Sequence, residues 1–154
     1  SHNTASYTDD EVFYLFYGKT YNQKAEQKTK YIKMRGRKVY EFALTNVPTA
    51  MKECLDKAQT DISEIKKILI HQANAKMDDA IVRRLYKLFN AESPEKIMPL
   101  TVDRFGNSSV ATVPTMFDLI AKNKLGEHKI EKGDKIIFAS VGAGMHINAM
   151  VYQY

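Results

Sequence analysis

Lys67-Ile68-Leu69-Ile70-His71-Gln72-Ala73-Asn74 is the stretch on which the fold turns. Its first four residues are short, branched and apolar, which predicts a buried strand. Polarity sets in at His71, and Asn74 is a good N-cap for a following helix. Beyond it Asp78 and Asp79 come early and Arg83, Arg84 and Lys87 late, the order a helix dipole prefers. Met77, Ala80, Ile81, Leu85, Leu88 and Phe89 recur at helical steps as an inward stripe, and Asn90 suits the end of the helix. A strand that feeds a helix through a polar loop is the repeating unit of an α/β sheet.

Upstream, Val39, Phe42, Ala43, Val47, Met51, Leu55 and Ala58 predict a helix over 37–58. Pro48 lacks an N–H and is expected to kink or re-nucleate it. Residues 12–17, Val-Phe-Tyr-Leu-Phe-Tyr, have strand composition and close on Gly18; residues 1–3 are set aside as uninformative about the fold. Downstream, residues 97–102 predict a short strand and Asp103 to Ser109 a turn. A helix then carries Val113, Met116, Phe117 and Ile120 inward, with Pro114 tolerated in its first turn. Lys135–Val141 and Ile147–Tyr152 predict strands joined by Gly142-Ala143-Gly144. The order predicts an α/β fold: a mixed, mostly parallel sheet with helices on its faces and a C-terminal antiparallel strand pair. Two regions are expected, a less legible segment over 1–31 (a strand plus a basic connection) and a well-patterned unit over 32–154.

The chain has 154 residues, 44% hydrophobic and 27% charged, which excludes a disordered polyelectrolyte. The longest apolar run, Ile136 to Met145, falls far short of the about 20 residues of a membrane span. The opening Ser-His-Asn-Thr-Ala-Ser has neither a basic nor an apolar leader region, so no secretory signal is expected. A single cysteine excludes an internal disulfide framework and a cysteine-based metal cluster, and points to a reducing cytoplasm. His2, His128 and His146 show no ligand spacing, and no metal site is expected. The net charge of +5 is local: Lys19 to Lys38 carries +7, which leaves −2 for the rest. That run is compatible with a solvated connection, with a docking surface for an acidic partner, or, least readily, with nucleic acid, for which no accompanying motif is present.

Ligands of open α/β sheets gather beyond the carboxyl ends of strands. Three features lie at such ends: His71, Asn107 and the turn Gly142–Gly144. Taken singly, each has a structural alternative, as a satisfied histidine, as Asx turn chemistry, or as a simple glycine turn.

Taken in order, His71-Gln72-Ala73-Asn74, Asp103-Arg104-Phe105-Gly106-Asn107-Ser108-Ser109 and Val141-Gly142-Ala143-Gly144 resemble the second half of β-ketoacyl-acyl carrier protein synthase III, a condensing enzyme of the thiolase superfamily. Met34-Arg35-Gly36-Arg37-Lys38-Val39-Tyr40 is similar to the segment that opens that family's long helix. The resemblance runs from about Ile32 to Tyr154 and identifies 32–154 with a C-terminal catalytic half. It implies decarboxylative Claisen condensation in fatty-acid biosynthesis, between an acyl group taken from acyl-CoA and malonyl-acyl carrier protein, with no cofactor. His71 and Asn107 would donate hydrogen bonds to the enolate oxygen, and the Ala143 N–H would belong to an oxyanion hole. Gly36, Gln72, Ala73, Asn74, Ala75, Lys76, Arg83 and Arg84 match positions that meet the carrier protein or its pantetheine arm. The family also implies a homodimer.

Two departures matter. Val141 stands where many members carry an aromatic residue, and Ala143 replaces a glycine. The family's nucleophilic cysteine lies at the start of a buried helix in the first half. Cys54, on a predicted apolar helix face and before His71, reads instead as a small core residue. The chain alone is therefore expected to be catalytically silent, to require an N-terminal half, and to expose apolar surface. The same residues leave room for a starter-unit ketosynthase of polyketide metabolism and for a non-catalytic carrier-binding subunit.

Overall fold

The protein's structure, a computed structural model, describes residues 1–5, 14–22, 24 and 28–154. Its elements are β1 (His2–Ala5), β2 (Leu15–Lys19), β3 (Lys30–Met34), α1 (Gly36–Ala58), β4 (Ile65–Ile70), α2 (Ala75–Lys87), α3 (Val102–Phe105), α4 (Thr112–Ala121), β5 (Lys135–Val141) and β6 (Ile147–Gln153). A four-stranded sheet has the order β1-β6-β5-β4, and β2 and β3 form a separate antiparallel hairpin. Of the predicted strand over 12–17, Val12 and Phe13 lie outside the described residues; β2 begins at Leu15.

Alternation along the strands divides the core into two layers. On one face of the sheet Ile68, Ile70, Ile137, Ala139 and Ile147 pack with Phe42, Val47, Met51 and Leu55 of α1 and Ile81 and Leu85 of α2. On the other face Leu69 and Ile136 meet Met116 and Ile120 of α4. Burial on both faces explains why β4 and β5 read as continuous apolar runs. Cys54 is fully buried in the first layer, its thiol near the Ala149 carbonyl at 3.5 Å, as a core residue should be.

The mixed sheet agrees with the sequence, but five expectations need correction. Residues 97–102 form no strand. The Ile68 N–H reaches the Ile97 carbonyl at 3.0 Å, but Pro94 and Pro99 have no N–H and the Pro99 carbonyl and Thr101 N–H are taken by the side chain of Gln72. Val102–Phe105 then coils into α3 in place of an open turn. Among the described strands β4–β5 is the parallel pair, while β5–β6 and β6–β1 are antiparallel, so antiparallel pairing predominates. In addition, α1 runs unbroken through Pro48. Lastly, His2 and Asn3, set aside in the sequence, join Thr4 and Ala5 in β1, which pairs from His2↔Met150 to Ala5↔Ile147 and covers the edge of β6. Such pairing needs only backbone groups, and no side-chain pattern announces it. No helix among the described residues is long and apolar enough to cross a membrane.

Candidate active site

The carboxyl end of β4 delivers His71, and its backbone N–H bonds the Ala139 carbonyl of β5 at 2.9 Å. The next residues turn into α2, where the Asn74 side chain caps the helix by accepting from Lys76 N–H at 2.9 Å and Met77 N–H at 3.4 Å. From the far side α3 ends on Gly106, at φ +64°, and the chain then presents Asn107. Both His71 and Asn107 line a cavity of about 710 Å³, walled by Leu15, Met34, Phe138 and Met145 among others. The wall is mainly apolar, and these two side chains are among its few polar groups.

One residue joins the pair. The Ser109 N–H donates to Asn107 Oδ1 at 2.9 Å, which engages the acceptor end of the carboxamide and leaves its NH₂ as the free end. The Ser109 backbone also neighbours the His71 ring and favours its charged form. Burial lowers the His71 pKa below its ordinary value, and the Ser109 contact opposes this in part, so the neutral ring is favoured near pH 7. Ser109 itself holds φ +54°, an uncommon conformation for a residue with a Cβ. The sequence pointed to the turn and not to this role, which belongs to the backbone and leaves no side-chain signature.

The turn after β5 also reaches the cavity. Val141, Gly142 and Met145 line it, on both sides of Ala143, which begins a single 3₁₀ turn closed by a Gly142 N–H to His146 carbonyl bond at 2.8 Å. Gly144 lies at φ +70°, where a side chain is strained, and a Cβ there would also crowd the His146 ring at 3.0 Å. Gly36 opens α1, and its neighbours Met34 and Val39 line the cavity. Ala73 lines it too, and Ala75 starts α2.

The predicted partner-facing residues separate into two groups. Lys76 and Arg83 are exposed, the latter paired with Asp79 at 2.9 Å. Arg84 donates from Nη1 to the Leu44 carbonyl at 3.0 Å and so braces α1. Gln72 is 0% exposed, and its side-chain amide is spent on residues 99–102, so it is not available to a partner as the sequence suggested. Position in the motif predicted contact; burial at the end of a buried strand decided otherwise. Among the described residues no three His, Cys, Asp or Glu side chains stand where a metal ion could be held.

Residues 55–154 match the family described as 3-oxoacyl-[acyl-carrier-protein (ACP)] synthase III C terminal. A β-ketoacyl-[acyl-carrier-protein] synthase III of Erythrobacter litoralis is 36% identical over 124 residues, 80% of this chain and 36% of its own length. The Lactobacillus helveticus synthase III is 32% identical over 124 residues, 80% of this chain and 35% of its own. The chain thus spans about a third of the length of the curated relatives it matches. Among solved structures, the synthase III of Thermus thermophilus superposes with a TM-score of 0.76 at 25% identity, over 100% of this chain and 45% of the other.

Proposed function

Because this chain belongs to the 3-oxoacyl-[acyl-carrier-protein] synthase III C-terminal family, we propose that it supplies the decarboxylating half of a condensing enzyme of fatty-acid biosynthesis. The observation that carries the proposal is the pairing of His71 and Asn107 on one apolar cavity, linked through Ser109. In the proposed step the bond from the malonyl α-carbon to its carboxylate breaks and carbon dioxide leaves. The electron pair passes onto the thioester oxygen, where the His71 ring N–H and the Asn107 NH₂ donate to the enolate. Neutral donors suit that task, since they bring no buried cation to desolvate. The enolate carbon then attacks the acyl thioester held by a cysteine of an N-terminal half, the new C–C bond forms, and the cysteine thiolate departs. The Ala143 N–H is proposed to stabilise the oxyanion of that second stage.

Acyl-CoA and malonyl-acyl carrier protein are the proposed substrates, in a cytoplasmic homodimer, and no cofactor is invoked. Exposed Lys76 and Arg83 are proposed to guide the acidic carrier, with Gly36, Ala73, Asn74 and Ala75 near its arm; such charges speed encounter more than they tighten it. Residues 32–154 form the proposed catalytic unit and 1–31 its approach.

The test is malonyl-carrier decarboxylation by the intact protein, scored as released carbon dioxide. His71→Ala and Asn107→Ala should each lower the rate by about 100- to 1,000-fold. Cys54→Ala should leave it unchanged. The acid limb of the pH profile should fall below the ordinary histidine value, because burial depresses the His71 pKa and the donor acts as the neutral ring. Unaltered decarboxylation in His71→Ala would remove the donor role.

A further inference from the structure

Gln72 is wholly buried, yet every polar atom of its side chain is engaged. Its Nε2 donates to the Pro99 carbonyl at 2.6 Å. Its Oε1 accepts from the Thr101 N–H at 2.8 Å, the Val102 N–H at 3.1 Å and the Thr101 hydroxyl at 3.2 Å. Those three donors are the N-terminus of α3. Within α3 the Arg104 and Phe105 N–H groups bond the Thr101 carbonyl at 3.0 and 2.9 Å, but the Thr101 and Val102 N–H groups have no carbonyl one turn back in the helix, and Thr101, its own N-cap, makes no side-chain capping bond. The cap comes instead from a different loop. His71 immediately precedes Gln72 in the chain, and Asn107 follows the end of α3 at Gly106. A single side chain therefore fastens the loop that carries His71 to the helix that presents Asn107.

We infer that Gln72 is a positioning residue, an inter-loop cap that sets the placement of Asn107 relative to His71, and not a contact for an acidic partner. The inference rests on the donor roles proposed above. Neither donor touches Gln72 through its side chain, so the effect is transmitted through the backbone of residues 99–107. Two bound donors aimed at one oxygen tolerate little drift, and a displacement of about 1 Å at a reacting centre costs about 100-fold.

The variant that tests this is Gln72→Glu, which keeps size and shape. Burial raises a carboxyl pKa, so at acid pH the new group is protonated: its O–H donates to the Pro99 carbonyl and its C=O still caps α3. On ionisation the donor is lost and a carboxylate oxygen faces the Pro99 carbonyl. In NMR spectra of the chain, the Asn107 side-chain amide signal should match the parent protein at pH 5 and move away as pH rises. In the intact protein, kcat for decarboxylation relative to the parent should fall about 10- to 100-fold over the same range, while KM for the malonyl carrier stays within about twofold. An Asn107 signal that follows the parent protein at every pH overturns the inference. So does a raised KM with an unchanged kcat, the pattern of a partner contact. If the alkaline variant loses the core signals of Ile68 and Ile137, Gln72→Met gives the test at fixed pH, and an unmoved Asn107 signal with an intact core again overturns it. A parent protein that releases no carbon dioxide would refute the proposed function, and the Asn107 signal would still decide the role of Gln72.

Discussion

Asp78 occupies the first turn of α2, where the dipole favours a carboxylate, yet it is 0% exposed and, among the described residues, neither of its oxygens has a hydrogen-bond partner. Burial pushes its pKa up to about 7 from 3.8, and a backbone contact with Asn74 opposes this only in part. The folded protein therefore keeps a proton that the unfolded chain releases near pH 4. The stability contributed by the protonated group is complete below that value and is lost as pH rises through about 7. A shift of roughly three pH units corresponds to about 4 kcal/mol across that window. Asp78→Asn removes the titration and nearly preserves the shape. The difference in urea-unfolding free energy between variant and parent should grow by about that amount in favour of the variant from pH 4 to pH 8. A difference that stays constant with pH would show that the carboxyl is ionised in the folded state.

At the scale of elements, α1 survives Pro48 for an identifiable reason. Residue 48 has no N–H for the Leu44 carbonyl one turn back, and the Arg84 guanidinium of α2 takes that carbonyl at 3.0 Å. Arg84→Met should cost about 1.5–2 kcal/mol in the parent protein, since it orphans a half-buried carbonyl from a charged donor. With Pro48→Ala in place the helix satisfies Leu44 itself, and the same substitution should cost close to nothing; equal costs in both backgrounds, measured by a double-mutant cycle, would refute the brace. The strand–loop–helix unit around His71 was legible because its signals are local: an apolar run, a capping asparagine, a charge gradient. The break expected at Pro48 does not occur, and the donor that takes the freed carbonyl lies 40 residues away in sequence. The strand expected over 97–102 failed likewise, because the rival for its backbone groups is the side chain of Gln72. Of the site, His71 and Asn107 were legible as a motif pair, whereas Ser109 acts through its backbone and Gln72 through burial, neither of which has a sequence pattern.

For the whole molecule, exposed apolar surface is the telling quantity. Much of it lies at the hairpin and around the cavity mouth. Tyr17 is 70% exposed, Ile32 68% and Val110 91%, and Leu15, Met34 and Val110 border the cavity itself. Large apolar side chains gathered beside a mainly apolar cavity mark an interaction surface rather than scattered surface residues. The relatives are about three times as long as the matched region, which is consistent with a further part covering this side. By itself the chain should therefore self-associate, and charge makes the expectation sharper. Lys19 stands directly opposite Lys30 in the hairpin, and among the described residues neither forms an ion pair, so approaching copies repel one another there. Salt screens that repulsion while leaving apolar contact intact. Sedimentation velocity should show a weight-average coefficient that rises with protein concentration and rises further between 50 mM and 500 mM salt, over which the screening length shortens about threefold. The double variant Ile32→Lys/Val110→Lys should return it toward the monomer with the core unchanged. A single monomeric species at every concentration and salt would mean that the exposed apolar surface is stable in water, and that this side is not an interface.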